Sequence, residues 1–182
     1  KGLVVFDATI SGTASHAAHP NPDNPIYKIG AVIDWFQQLE FERVSDALGP
    51  VKLTVTQVNA GKQHNAVPAD GKLVIDLRVN DLYTNNEIAQ ILEAAPCEVK
   101  ARSLRLGSSS IPLSHALVQA GITAGRNTYG SPTLSDQAAL TCDSLKLGPG
   151  DSLRSHTANE FIYINEIEEA IPLYISILKQ AL

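Results

Sequence analysis

The segment VKLTVTQVNAGKQHNAVPADGKLVIDLRV, residues 51–79, carries two alternating patterns joined by a turn-like stretch. Val51, Leu53 and Val55 alternate with Lys52, Thr54 and Thr56, the period of a strand with one buried face. Leu73, Ile75, Leu77 and Val79 alternate with Lys72, Asp76 and Arg78 in the same way. With AGKQHNAVPADG between them, the two strands are expected to pair antiparallel.

Upstream, LVVFDATI (Leu3–Ile10) is rich in β-branched and aromatic residues and stops at Ser11-Gly12, so it reads as a strand. GTASHAAHPNPDNP is loop chemistry. Asn24 is an expected N-cap with Pro25 in the first helical turn, where a missing N–H costs nothing. Ile26, Ile29, Ile33 and Phe36 then predict an amphipathic helix from 25 to about 40. Downstream, Thr84 with Glu87 forms a capping box that opens a helix bearing Ile88, Ile91 and Leu92, and Pro96 stops it. Cys97, Val99 and Ala101 begin a strand running toward Leu106. The order β-α-β-β-α-β is that of a ferredoxin-like α+β unit, an antiparallel sheet with two helices on one face, over residues 1–107.

The composition changes at GSSSIP, Gly107–Pro112. Residues 108–182 predict a helix over about Leu113–Ala124, the turn-rich GSPTLSD, a short strand SLKL (Ser144–Leu147), a GPGD loop and a final helix kinked at Pro172. That is too little for an α/β layer of its own, and is expected to be the C-terminal end of a larger α/β domain. The sequence contains no methionine and enters a strand almost at Lys1. It is therefore expected to be part of a longer protein, lacking an N-terminal portion.

The chain has 182 residues, 44% apolar and 18% charged, with a net charge of -5 and 14 unclustered basic residues. Nucleic acid is an unsuitable partner, because its phosphates need a concentrated basic face. No apolar run approaches the roughly 20 residues of a membrane-spanning helix, and none resembles a signal peptide. Cys97 and Cys142 are lone thiols, which suits a reducing cytoplasm.

In RSHTANE (Arg154–Glu160), His156 follows the GPGD loop and the expected strand. Ligands favour that edge of an open α/β sheet. One imidazole cannot hold zinc, which takes three or four ligands. By spacing alone, His16, His19, His64 and His115 supply no companion.

These residues resemble a known family. GPG followed by SHTANE resembles the C-terminal signature of the zinc-dependent acetylornithine deacetylase, succinyl-diaminopimelate desuccinylase and carboxypeptidase family. GTASHAAHP resembles its lid segment, QHNAVPADGKLVIDLR its Asn-x-Val-Pro turn and following strand, and GSPTLSD its Gly-Thr-Ser-Asp loop. The resemblance covers essentially the whole chain and is nearest to the acetylornithine deacetylases. It implies a lid and dimerisation domain (1–107) inserted into a two-zinc catalytic α/β domain, of which 108–182 is the end. Most zinc ligands and the general-base glutamate would lie outside this chain.

By resemblance, His156 would be a metal ligand, and His16 a catalytic donor reaching the substrate carbonyl in the partner subunit. Asn65 would be an amide donor near the substrate, or merely the start of a turn. Arg78 would clamp a carboxylate, or else pair with Asp76 on a solvated sheet face. Thr133 and Ser135 would border the substrate, or be ordinary turn residues. Glu160 would support His156, or simply be an acid near the last helix. The resemblance implies zinc, with cobalt or manganese as alternatives, and a small N-acyl amino acid such as N-acetylornithine as substrate. It further implies a homodimer formed through the lid, located in the cytoplasm. The chain alone is expected to be inactive. The competing reading is a non-catalytic dimerisation or small-ligand module, with desuccinylase or dipeptidase activity as alternatives inside the family.

Overall fold

The computed structural model describes residues 1–182. In chain order the elements are β1 (Gly2–Ser11), β2 (Ser15–His16), α1 (Pro25–Gln38), β3 (Lys52–Ala60), β4 (Ala66–Val67) and β5 (Asp70–Val79). They continue with α2 (Asn85–Leu92), β6 (Glu98–Ala101), α3 (Ala116–Thr123) and α4 (Ile164–Ala181). The main sheet runs β3-β5-β1-β6 with every neighbour antiparallel, as the ferredoxin-like order predicts. A second, two-stranded ladder joins β2 to β4.

The two expected strands of residues 51–79 pair as β3 and β5, with Leu53 opposite Leu77 and Val55 opposite Ile75. The register then shifts, so that Gln57 faces Val74 and Val58 faces Leu73. Thr56 is the extra residue of this bulge, and its hydroxyl donates to the Val74 carbonyl at 3.2 Å. Beyond it Val58 and Ala60 pair with Leu73 and Gly71, and both are exposed.

Val4, Phe6, Ala8 and Ile10 of β1 and Leu73, Ile75, Leu77 and Val79 of β5 are all buried on one face. Ile29, Val32 and Phe36 of α1 and Ile88 and Leu92 of α2 close over them as one core. The Asn24 side chain accepts the Ile26 N–H at 2.9 Å to start α1, with Pro25 at its first position. The Thr84–Glu87 capping box forms as expected. The Glu87 carboxyl is held down to about 2 by the Thr84 backbone N–H, then by Arg43 and the Thr84 hydroxyl. Strand β6 ends at Ala101, short of the predicted reach toward Leu106. Beyond it, the Leu106 carbonyl accepts one hydrogen bond from Leu3 N at 2.9 Å.

Asn80, 0% exposed, ties the loop after α1 to the end of β5. Its amide donates to the carbonyls of Arg43 and Gly49, each at 2.9 Å, and its oxygen accepts the Leu82 N–H at 3.1 Å.

By internal contacts the chain divides into residues 1–109 with 130–139, and 110–129 with 140–182. In the second unit α3 and α4 pack together through Val118, Ala120, Ala170 and Ile177. Helix α4 runs through Pro172. The strand expected at Ser144–Leu147 does not form. A strand exists only by pairing, and the second unit contains no other strand. No helix is long and apolar enough to cross a membrane.

Replacing Asn80 by Ala leaves the part-buried Arg43 carbonyl and Leu82 N–H without these partners and removes one of the two N–H donors to the Gly49 carbonyl, and should lower the unfolding free energy by about 1–3 kcal/mol. Urea unfolding, with the midpoint falling at unchanged slope, checks this. Glu87 makes a pH-dependent contribution. Its folded value lies below the ordinary 4.5, so the stabilisation is complete above that pH and is lost as pH falls toward about 2. Unfolding curves between those pH values should therefore weaken less steeply in Glu87→Gln than in the parent chain.

Candidate active-site residues

The loop after β1 is folded back onto the segment before β5. Gly12 N donates to the Ala69 carbonyl at 2.8 Å. A Cβ at Gly12 would stand 2.5 Å from the Asp23 carbonyl oxygen, so only glycine allows this approach. Ser15 and His16 then pair with Val67 and Ala66, and Ala17 N donates to the Asn65 carbonyl at 2.9 Å. The result brings His16 and Asn65 together, both exposed, on a shallow depression of about 400 Å³ also lined by Ser15, Gln63 and Val67.

The His16 ring is oriented from within its own turn. Its Nδ1 accepts the Ala18 N–H at 3.1 Å, and its carbonyl accepts the His19 N–H at 3.0 Å. The His19 ring stands edge-on to it, with centroids 5.7 Å apart.

Arg78 lies elsewhere. It sits opposite Leu3 and Lys52, whereas the His16 turn adjoins the end where Ile10 faces Gly71. At about 3.3 Å per residue, the length of β5 separates Arg78 from that end by more than about 20 Å. The Arg78 guanidinium forks onto Asp76, Nε at 2.7 Å and Nη2 at 3.0 Å, so the ion-pair alternative is what the structure contains. Thr133 shares the Arg78 end, since the Lys1 backbone nitrogen donates to the carbonyls of Ser131 and Thr133 at 2.9 and 3.4 Å. The Thr133 hydroxyl bonds that of Ser131 at 2.9 Å, and Ser135 donates to Gln137 at 3.1 Å.

His156, in the second unit, is exposed and is the one non-glycine residue with positive φ, +60°. Glu160 supports it through the main chain, accepting the His156 backbone N–H at 2.9 Å rather than bonding the ring. Thr157 donates to the Arg154 carbonyl at 2.8 Å. Arg154 stacks on Phe161 and Tyr163 and pairs with Glu166, which fixes this loop to the start of α4. Strain of this kind concentrates where a side chain is held for a purpose.

No three His, Cys, Asp or Glu side chains converge anywhere in the chain. Zinc needs three or four ligands, so the residues present do not by themselves fit a metal site, and no chemistry below is routed through one.

The sequence model of the M20 peptidase dimerisation domain matches residues 1–101. The chain belongs to this family. A succinyl-diaminopimelate desuccinylase from Acidiphilium cryptum is 22% identical over 194 residues, covering 98% of this chain and 52% of that protein. A protein from Pyrobaculum aerophilum named as a LysW-lysine/LysW-ornithine hydrolase is 25% identical, covering 88% of this chain and 48% of its own length. Among solved structures, an aminopeptidase from Bacillus cereus superposes with a TM-score of 0.70 at 18% identity, over 99% of this chain and 52% of that one. An M20-family metallo-carboxypeptidase from Sulfolobus solfataricus gives 0.69 at 15%, over 100% and 58%. These likenesses support the fold. The chain spans about half the length of the curated relatives it matches.

Ser15 and Gln63 went unnoticed in the sequence, because two-residue strands such as β2 and β4 are too short to show a period. In the M20 chain, His156→Gly should be more stable than His156→Ala by about 1 kcal/mol, since glycine alone carries no left-handed penalty. Chemical unfolding of the two variants measures this, and an alanine variant at least as stable would remove the strain argument.

Proposed function

We propose that this M20 chain is the lid and C-terminal portion (1–107 and 108–182) of a metal-dependent hydrolase. The enzyme would remove the acyl group from an N-acyl amino acid, with N-acetylornithine as the leading candidate. The observation that carries this reading is the pairing of His16 with Asn65 in an open depression at one end of a dimerisation-domain sheet. There an imidazole and an amide supply hydrogen-bond donors suited to a carbonyl oxygen turning into an oxyanion, a role worth about 3–4 kcal/mol of barrier per donor.

The separation of His16 and Asn65 from Arg78 fits a dimer in which each lid serves two sites. His16 and Asn65 would act on substrate held by the partner subunit, and Arg78 with Thr133 and Ser135 on substrate held by their own. A guanidinium at Arg78 suits a substrate carboxylate, which would compete with Asp76 for its fork. His156 would contribute one ligand to a metal, zinc in this reading, with the other ligands from residues outside this chain. The metal would polarise the scissile carbonyl.

The α4 surface supports the larger domain. Ile164, Ile167, Ile171, Ile175 and Leu178 share one side of the helix and are exposed, Ile164 by 75% and Ile171 by 58%. A stripe of that size marks a surface meant to be covered. Desuccinylation is the second reading, because several similar proteins bear that name.

The test uses the complete polypeptide of the proposed enzyme and mixes two inactive homodimers, His16→Ala and His156→Ala. Heterodimers should regain activity, because one of their sites combines an intact His156 with the other subunit's intact His16. Absence of recovery after verified subunit exchange would overturn the cross-subunit role. N-acetylornithine and N-succinyl-diaminopimelate, assayed side by side, decide the acyl class. The 182-residue chain alone should hydrolyse neither with added zinc.

A further inference from the structure

The turn His16-Ala17-Ala18-His19 has each backbone N–H from Ala17 to His19 hydrogen-bonded. His16 O accepts from His19 N, and Ala17 N donates to Asn65 O. Ala18 N donates to His16 Nδ1. A nitrogen that accepts an N–H must present its lone pair, so in the neutral ring the proton resides on the other nitrogen. The opposite tautomer would set Nδ1–H against Ala18 N–H, donor against donor, 3.1 Å apart.

We propose that the Ala18 backbone amide locks His16 as a one-way donor, with Nε2–H the only ring group left to meet a ligand in the depression. This rests on the reading of His16 as a substrate-contacting residue and sharpens it. While neutral, the ring has no free lone pair, so His16 donates to an acceptor such as a carbonyl oxygen and cannot serve as a general base. Ala18 is then a positioning residue that acts through its main chain. Its side chain contributes nothing to the lock, which is why no residue type in the sequence announces it. The ladder between β2 and β4 holds the turn in place, so the lock is built into the dimerisation domain and needs neither substrate nor partner.

The experiment is a long-range proton–nitrogen NMR correlation on the ¹⁵N-histidine-labelled 182-residue chain, at a pH where the imidazoles are neutral. Two other histidines provide references. The His115 Nδ1 accepts the Leu117 N–H at 3.2 Å and should show the same fixed pattern. His64 is exposed with no ring hydrogen bond and should show tautomer-averaged shifts. His16 should show the proton on Nε2 and a bare, hydrogen-bonded Nδ1. A proton on Nδ1, or an averaged pattern like that of His64, would overturn the proposal.

Ala18→Pro deletes the N–H and should move His16 toward the averaged pattern while His115 stays fixed. Ala18→Gly keeps the N–H and should keep the lock. If Ala18→Pro retains the fold and His16 remains Nε2-protonated, the lock is not Ala18 and the proposal fails. Should the proline variant misfold, the parent and glycine spectra still decide. The measurement involves no substrate, so a failed subunit-mixing assay and a failed tautomer assignment are separate results.

Discussion

The antiparallel contact between β1 and β5, in register from Gly2 opposite Val79 to Ser11 opposite Asp70, sets every other placement in the first unit. It puts Phe6 against Ile75 and Val4 against Leu77, with Asp7 and Asp76 on the other face. A slip of one residue would exchange the faces, exposing the apolar set and burying the carboxylates, so burial itself enforces the register. Helices α1 and α2 follow, because their apolar stripes have only this face to cover. The same register sets where the candidate site residues lie. The His16 turn hangs from the Ile10–Gly71 end, and Arg78 is held at the Leu3 end.

Much of this was legible in residues 51–79 and their flanks, because alternation and capping are local signals with direct physical causes. Asn24, Pro25, Thr84 and Glu87 each satisfy or forgo a specific backbone donor, and each marks a real helix start. The bulge at Thr56 was not read from the sequence, where Val51, Leu53 and Val55 alternate without a break; the register shift between Val55 and Gln57 comes from the pairing with β5. Ser144–Leu147 went the other way. Its sequence suits a strand, but propensity expresses a fit to neighbouring strands, and the second unit offers none.

The candidate site residues were read from the sequence by type, and their states were not. Sequence could propose His16 and Asn65 from a family likeness, but a two-residue ladder formed between distant loops is what brings them together. Nor could it show the proton of His16, which depends on where one backbone amide points. The left-handed backbone of His156 is similarly hidden, because histidine carries no glycine-like marker for it. Arg78 had two open readings, and the geometry gives one of them substance. Its fork is occupied by Asp76, so any carboxylate ligand must replace a partner already in place.

That replacement bears on how one small domain can take part in two sites. On the proposed reading, an amino-acid substrate would be far shorter than β5, so His16 and Arg78 of the same copy could not grip one molecule. A monomeric lid would therefore leave one of the two ends without a ligand to meet. In the proposed enzyme two copies related by a twofold axis would resolve this, since each sheet could point its His16 end toward one substrate and its Arg78 end toward the other. The link between dimerisation and catalysis in the proposed enzyme then needs no moving part. It follows from the length of a strand, and a rigid ten-residue β5 suffices to carry it.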